Sequence, residues 1–206
     1  MQTISEKIKN QIQGGRRGKL YCISDFSKLG NRKTISRILL QLSKSNFIVR
    51  LLRGVYFYPH IDKELGVLLC GWETVAKEIA NRKNMRLAKT AVYAQNALGL
   101  STQVPCNVVY LTDSKSQTIY DLKGRRVIQF THAAPKNFAY KSEFVQLIVL
   151  ALNDFGEEYV NEYIINSYEF NRVKSALLAH ETKETVLSDL QYAPVWIQQV
   201  IKSFYD

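Results

Sequence analysis

The sequence predicts an α+β protein: an N-terminal winged helix-turn-helix followed by a mostly helical α+β domain with a small antiparallel sheet. Three observations predict it. The first sixty residues alternate helical and strand periodicities in winged-helix order, the same stretch holds the net positive charge, and short β-type runs give way to helical spacing from Glu143 onward. The expected domain limits are 1–62 and 70–206.

Thr3 and Glu6 stand at capping-box spacing, and Ile4, Ile8 and Ile12 follow at i, i+4, i+8, one apolar stripe of an amphipathic helix that Gly14 and Gly15 end. Arg16, Arg17 and Lys19 then lie in a glycine-punctuated turn before the short β-type run Leu20-Tyr21-Cys22-Ile23. Ser24 can cap a second, short helix that turns Phe26 and Leu29 inward and stops at Gly30. Asn31 caps a third helix whose buried stripe is Ile35, Ile38, Leu39 and Leu42, with Arg32, Lys33, Ser36 and Arg37 mostly on the other side. Residues 47–51 and 55–58 are β-rich and join through Leu52-Arg53-Gly54, so a hairpin closes the unit at Pro59.

In a winged helix the third helix enters the major groove and the wing reaches toward the backbone or minor groove. Arg32, Lys33 and Arg37 have the chemistry to neutralise phosphates or make bidentate contacts to guanine. Asn31 and Ser36 are short donors or acceptors, Arg50 and Arg53 are placed to clamp phosphates from the wing, and Arg16, Arg17 and Lys19 form a phosphate-facing turn. Charge agrees with pattern. Residues 1–60 carry twelve Lys and Arg against Glu6 and Asp25, residues 61–141 twelve against six acids, and residues 142–206 four against ten, in a chain of net charge +10. Winged helices also serve as docking or architectural modules, so a protein-interaction role stays open beside DNA binding. The run Gly15-Arg16-Arg17-Gly18-Lys19-Leu20 is no phosphate loop, because its glycine spacing is short and Leu20 replaces the magnesium-binding hydroxyl.

Beyond this unit the sequence predicts an apolar linker over residues 65–71, helices over 74–82 and 91–98, and strands over 108–111, 119–122 and 127–130, a sheet of about three strands. Phe144, Leu147, Ile148, Leu150 and Ala151 are apolar almost all round, the mark of a buried helix, and Pro194 starts a last helix carrying Val195, Ile197, Val200, Ile201 and Phe204. His60, His132 and His180 are scattered and read as structural or surface histidines, and Glu157-Glu158 is a helix N-terminus rather than a catalytic pair. The expectation is no enzyme, no metal and no cofactor. Cys22, Cys70 and Cys106 are an odd, scattered set, read as reduced buried thiols of a cytoplasmic protein, and no stretch of eighteen apolar residues or secretory signal points to a membrane.

Four strings carry a resemblance: Arg53-Gly54-Val55-Tyr56 through Pro59; Asn96-Ala97-Leu98-Gly99-Leu100-Ser101-Thr102-Gln103-Val104-Pro105; Tyr110-Leu111-Thr112-Asp113; and Ile128-x-Phe130-x-His132 with Pro135. Over roughly residues 4–155 the chain resembles the AbiEi-like antitoxin family of bacterial type IV toxin–antitoxin systems. The L-G-L-S-T-Q-V-P run is the specific part. The resemblance implies a transcriptional autorepressor that binds double-stranded operator repeats upstream of its own operon, and recruitment to repeats leads to the expectation of self-association on DNA. It also implies a nucleotidyltransferase-like toxin as functional partner, counteracted without a stable complex. The DNA contacts of that family map onto Asn31, Arg32, Lys33, Ser36, Arg37, Arg50 and Arg53. Ser101, Thr102 and Gln103 place three polar side chains between a helix end and a strand, either a partner-binding site or a capped loop.

Overall fold

The computed structural model describes residues 2–104 and 107–205. Pro105, at the end of the L-S-T-Q-V-P run, and Cys106 lie outside them. Helix α1 (Ile4–Gln13) opens with both halves of the expected capping box: Glu6 N donates to Thr3 Oγ1 at 3.2 Å and Thr3 N to Glu6 Oε2 at 2.8 Å. Ile8 and Ile12 are fully buried, while Ile4 remains partly exposed. Strand β1 (Leu20–Cys22) follows.

The expected second helix does not form. One 3-10 turn, Ile23–Phe26, stands in its place, because the Asp25 carboxylate accepts the Cys22 N–H at 2.8 Å and the next bonds, Ser27 N to Ser24 O and Leu29 N to Phe26 O, span three residues instead of four. The turn still buries Phe26 completely.

Helix α2 (Arg32–Lys44) starts at Asn31, whose side chain accepts from Thr34 N at 2.9 Å, and buries Ile35, Ile38, Leu39 and Leu42. Strands β2 (Val49–Leu52) and β3 (Val55–Phe57) pair antiparallel, and β1 adds to the other edge of β3, giving a sheet of order β1-β3-β2. Leu20 faces Phe57, Tyr21 faces Tyr56, and Cys22 faces Val55. These three strands, α1 and α2 form a winged helix around Ile8, Ile12, Tyr21, Phe26, Ile35, Leu39, Ile48 and Tyr56.

The wing turns at Gly54, with φ of +83°. A Cβ there would meet Ile23 Cδ1 at 3.5 Å, an ordinary contact, so the requirement for glycine is conformational and not steric. Gly54→Val is expected to cost about 1–2 kcal/mol, the penalty for a left-handed L-residue. Gly54→Asn should cost less. Urea unfolding of the two variants checks this ordering.

A hairpin replaces the expected apolar linker at 65–71. Strands β4 (His60–Asp62) and β5 (Gly66–Leu68) pair antiparallel, closed by the Asp62 carboxylate, which accepts from Glu64 N and Leu65 N, both at 2.8 Å. Helix α3 (Trp72–Arg82) follows. The first compact unit therefore runs to Lys83, beyond the expected limit of 62, and includes Thr118–Ile128.

The second unit comprises Asn84–Gln117 and the chain from Gln129 onward. Strands β6 (Leu87–Ala88), β7 (Val108–Thr112), β8 (Gln117–Tyr120) and β9 (Arg126–His132) form a sheet of order β6-β7-β9-β8, four strands where about three were expected, with most of β8 and the start of β9 falling within Thr118–Ile128. Helix α4 (Ala91–Ala97) packs on α5 (Glu143–Phe155). Gly156 then breaks the chain into α6 (Glu157–Tyr159), which runs on as a π-helical turn, Val160–Ile164. Helices α7 (Tyr168–His180), α8 (Lys183–Leu190) and α9 (Val195–Lys202) complete a core that includes Ile148, Leu152, Val160, Phe170, Leu177, Val186, Ile197 and Ile201.

Tyr140 edges this core, and burial, with the Asp189 carboxylate adding to it, pushes its hydroxyl up to about 12. The folded state holds a proton that the unfolded chain releases near pH 10. The tyrosine's contribution is therefore complete below pH 10 and is lost as pH rises from there through 12. Thermal melts across that window should show a decline in stability that is smaller in Tyr140→Phe.

Candidate nucleic-acid interface

The exposed side of α2 gathers four of the expected residues. Arg32, Lys33, Ser36 and Arg37, with Leu40 one turn on, line one open groove. At 100° per residue, positions i, i+1, i+4, i+5 and i+8 share a face, opposite the buried Ile35-Ile38-Leu39-Leu42 stripe. Arg32, Lys33 and Arg37 are exposed, and the helix carries no acid.

Arg32 also borders a second concavity of about 390 Å³, whose wall includes Ser24, Ser27, Gly30, Arg53 and Gly54. One arginine thus belongs to both hollows. Arg32 and Arg53 line this second hollow together, and Arg53 is exposed at the wing tip. Cys22 lines the same hollow, half-buried, and burial pushes its thiol up, so the sulfur is a protonated wall and not an anion. Cys70 is also half-buried and free, where both thiols were expected to be buried.

The remaining candidates divide. Asn31 spends its side-chain oxygen on the α2 cap, which leaves only its amide nitrogen for a ligand. Arg16 is exposed. Arg17 donates to Pro59 O at 2.8 Å and stacks over Tyr58, with the guanidinium 4.8 Å from the ring centre, and the Lys19 ammonium lies 5.4 Å from the Tyr21 ring centre. Arg17 is therefore tied at the end of β3 opposite Gly54, away from the groove on α2.

Arg50 corrects the expectation of a wing clamp. It is half-buried opposite Tyr56, and its Nε is buried without a hydrogen-bond partner. The register shift between Arg50 and Leu52 leaves Arg53 alone of the two at the exposed tip.

One element of the site was invisible in sequence. Arg82 reaches Asp25 through two nitrogens, at 2.5 and 3.0 Å, and its Nε meets Glu78 at 2.7 Å. This bidentate pair neutralises one of the two acids in the first sixty residues and pins α3 to the turn that precedes α2. The partners are 57 positions apart, and neither belongs to a motif.

Ser101, Thr102 and Gln103 show the bonding of a capped loop. Ser101 N donates to Gln95 O at 3.2 Å, Asn96 Nδ2 to Ser101 O at 3.3 Å, and Gln103 N to Ser101 Oγ at 3.2 Å, while Thr102 and Gln103 are exposed. His132 is engaged locally, its Nδ1 3.1 Å from Ser114 O. Among the described residues no three His, Cys, Asp or Glu side chains cluster so as to hold a metal, and no helix is long and apolar enough to cross a membrane.

Fold and site together define a winged-helix protein with exposed cations on α2 and at the wing tip and a second, mostly helical unit. The chain belongs to the DUF6088 family, a family of unknown function, whose signature matches residues 7–186. No curated protein matches the sequence.

Proposed function

We propose that the protein is a DNA-binding transcriptional autorepressor of the cytoplasm, acting without enzymatic chemistry as the antitoxin of a type IV toxin–antitoxin system. The observation that carries the DNA-binding part is the single open face on which Arg32, Lys33, Ser36 and Arg37 meet, with Arg32 also lining the hollow that Arg53 borders. An exposed helix of this composition, held by an apolar stripe on its other side, has the size and charge to enter a major groove while the wing tip reaches the flanking backbone. The arginines supply sequence-independent affinity through phosphates, and Ser36 with the Arg32 and Arg37 forks supplies base-edge contacts. The antitoxin role, and a nucleotidyltransferase-like toxin as functional partner, rest on the resemblance of the L-G-L-S-T-Q-V-P run and its companion strings.

The test is an anisotropy titration of the full chain against a duplex carrying the repeats upstream of its own gene and against a shuffled duplex of equal length. The expected result is saturable binding at least about 10³-fold tighter to the repeats, the lower range for specific over non-specific recognition. Equal affinity for the two duplexes would reduce the role to general DNA coating, and absence of binding to either would refute it.

A further inference from the structure

Between Lys141 and Arg172 lie thirty residues with six carboxylates, Glu143, Asp154, Glu157, Glu158, Glu162 and Glu169, and no lysine or arginine, in a chain of net charge +10. In the middle of that stretch three aromatic rings form a ladder at four-residue intervals. The centroids of Phe155 and Tyr159 are 5.5 Å apart and those of Tyr159 and Tyr163 are 4.9 Å apart. Val160 and Ile164, next in sequence to the two tyrosines, are buried in the core of the unit and fix the turn on which the ladder stands. Tyr159 is nevertheless 47% exposed and Tyr163 57%. Two of the ladder's three rungs face water.

Each tyrosine is preceded by an exposed glutamate, Glu158 and Glu162, so a row of carboxylates runs beside the row of rings. The neighbouring Glu162 carboxylate raises the Tyr163 hydroxyl above its ordinary value. The backbone here is the π-helical turn, a geometry that recurs where function offsets its cost.

Exposed tyrosines in contact with one another are costly to hydrate, and tyrosine is enriched among residues that anchor partners. Their faces carry partial negative charge, and the adjacent carboxylates add to it, so the surface attracts cations. Nucleic-acid bases also stack on tyrosine, but their phosphates would meet carboxylates with no compensating cation in thirty residues. Between the two protein cations, guanidinium fits better than ammonium. It is planar, weakly hydrated, stacks on rings, and pairs with a carboxylate through two parallel bonds.

We infer that Tyr159 and Tyr163, flanked by Glu158 and Glu162, form a docking surface for an arginine-bearing segment of a partner protein. This surface uses no residue of the winged helix, so it stands or falls independently of DNA binding.

The experiment measures binding of fluorescein-labelled nona-arginine and nona-lysine peptides to the full chain by anisotropy, at about 0.15 M salt where distant charges are screened. The expected result is tighter binding of nona-arginine, weakened roughly tenfold by the double change Tyr159→Ala and Tyr163→Ala, and retained when both become Phe. Circular dichroism establishes that the helices of both double variants are intact. Two results would overturn the inference: no measurable binding of nona-arginine, or equal binding of the two peptides with loss only on Glu158→Gln and Glu162→Gln, which would mark a simple charge field.

Discussion

Replacing Arg32 and Arg37 together by alanine is expected to weaken binding to the upstream duplex about a hundredfold or more, since each arginine contact to a base edge or phosphate contributes roughly 1–3 kcal/mol. Both guanidiniums project from the exposed side of α2 into one groove, and both are remote from its buried stripe, so the fold survives the change. Controls separate this face from the general positive charge. Lys44→Ala, at the far end of α2, should alter affinity by less than about threefold, in line with the small effects of peripheral charges. Arg17→Ala should also fall well short of the double change, because that guanidinium already bonds Pro59 O and covers Tyr58. Anisotropy titrations at one salt concentration give the ranking. A double variant that binds as tightly as the wild type would remove α2 from the interface.

Asp189→Ala is expected to cost about 3 kcal/mol of stability in the second unit. The carboxylate is 1% exposed and accepts Lys141 N at 3.0 Å and Ser142 N at 2.8 Å, so it holds the entry to α5 from α8. Truncation leaves two backbone donors without their acceptor, one of them on the buried Ser142, at roughly 1–3 kcal/mol each. Ser142 in turn caps α5 through Val145 N at 3.2 Å, so the loss extends to the first turn of that helix. Asp189→Asn retains one acceptor oxygen and should cost less. Urea denaturation followed by Trp196 fluorescence in a Trp72→Phe background reports on this unit, because Trp196 packs against its core. Equal stability of Asp189→Ala and the wild type would show that solvent replaces the lost acceptor without penalty.

Much of the winged helix was legible because its signals are local. The Thr3-Glu6 box, the Asn31 cap, the Ile35-Ile38-Leu39-Leu42 stripe and the Gly54 turn each act within a few residues, and all four stand where expected. The departures have equally definite causes. Ser24 resembled a helix cap, but Asp25 closes back on Cys22 N and tightens the chain into a single 3-10 turn. The β4–β5 hairpin was hidden because residues 65–71 are apolar without alternation, and the Asx turn at Asp62 outweighs that pattern. Strand β6 has two residues, too few to show any period, and is recruited by pairing with β7.

The site divides along the same line. Helical spacing is enough to place Arg32, Lys33, Ser36 and Arg37 on one face, since it needs only the helix. It is not enough for Arg50, whose direction depends on a bulge, or for Arg17, whose guanidinium is captured by a carbonyl 42 positions away. The Asp25–Arg82 pair depends wholly on tertiary structure.

The central claim is that the exposed cations on α2 and the wing tip meet DNA phosphates. It is tested most directly by the salt dependence of binding to the upstream duplex. With Arg32, Lys33, Arg37 and Arg53 engaged, the slope of log K against log salt should be about −3.5, and it should become shallower by about 1 for each of these residues replaced by alanine. A slope near zero, or one unchanged by Arg32→Ala and Arg53→Ala, would contradict the account.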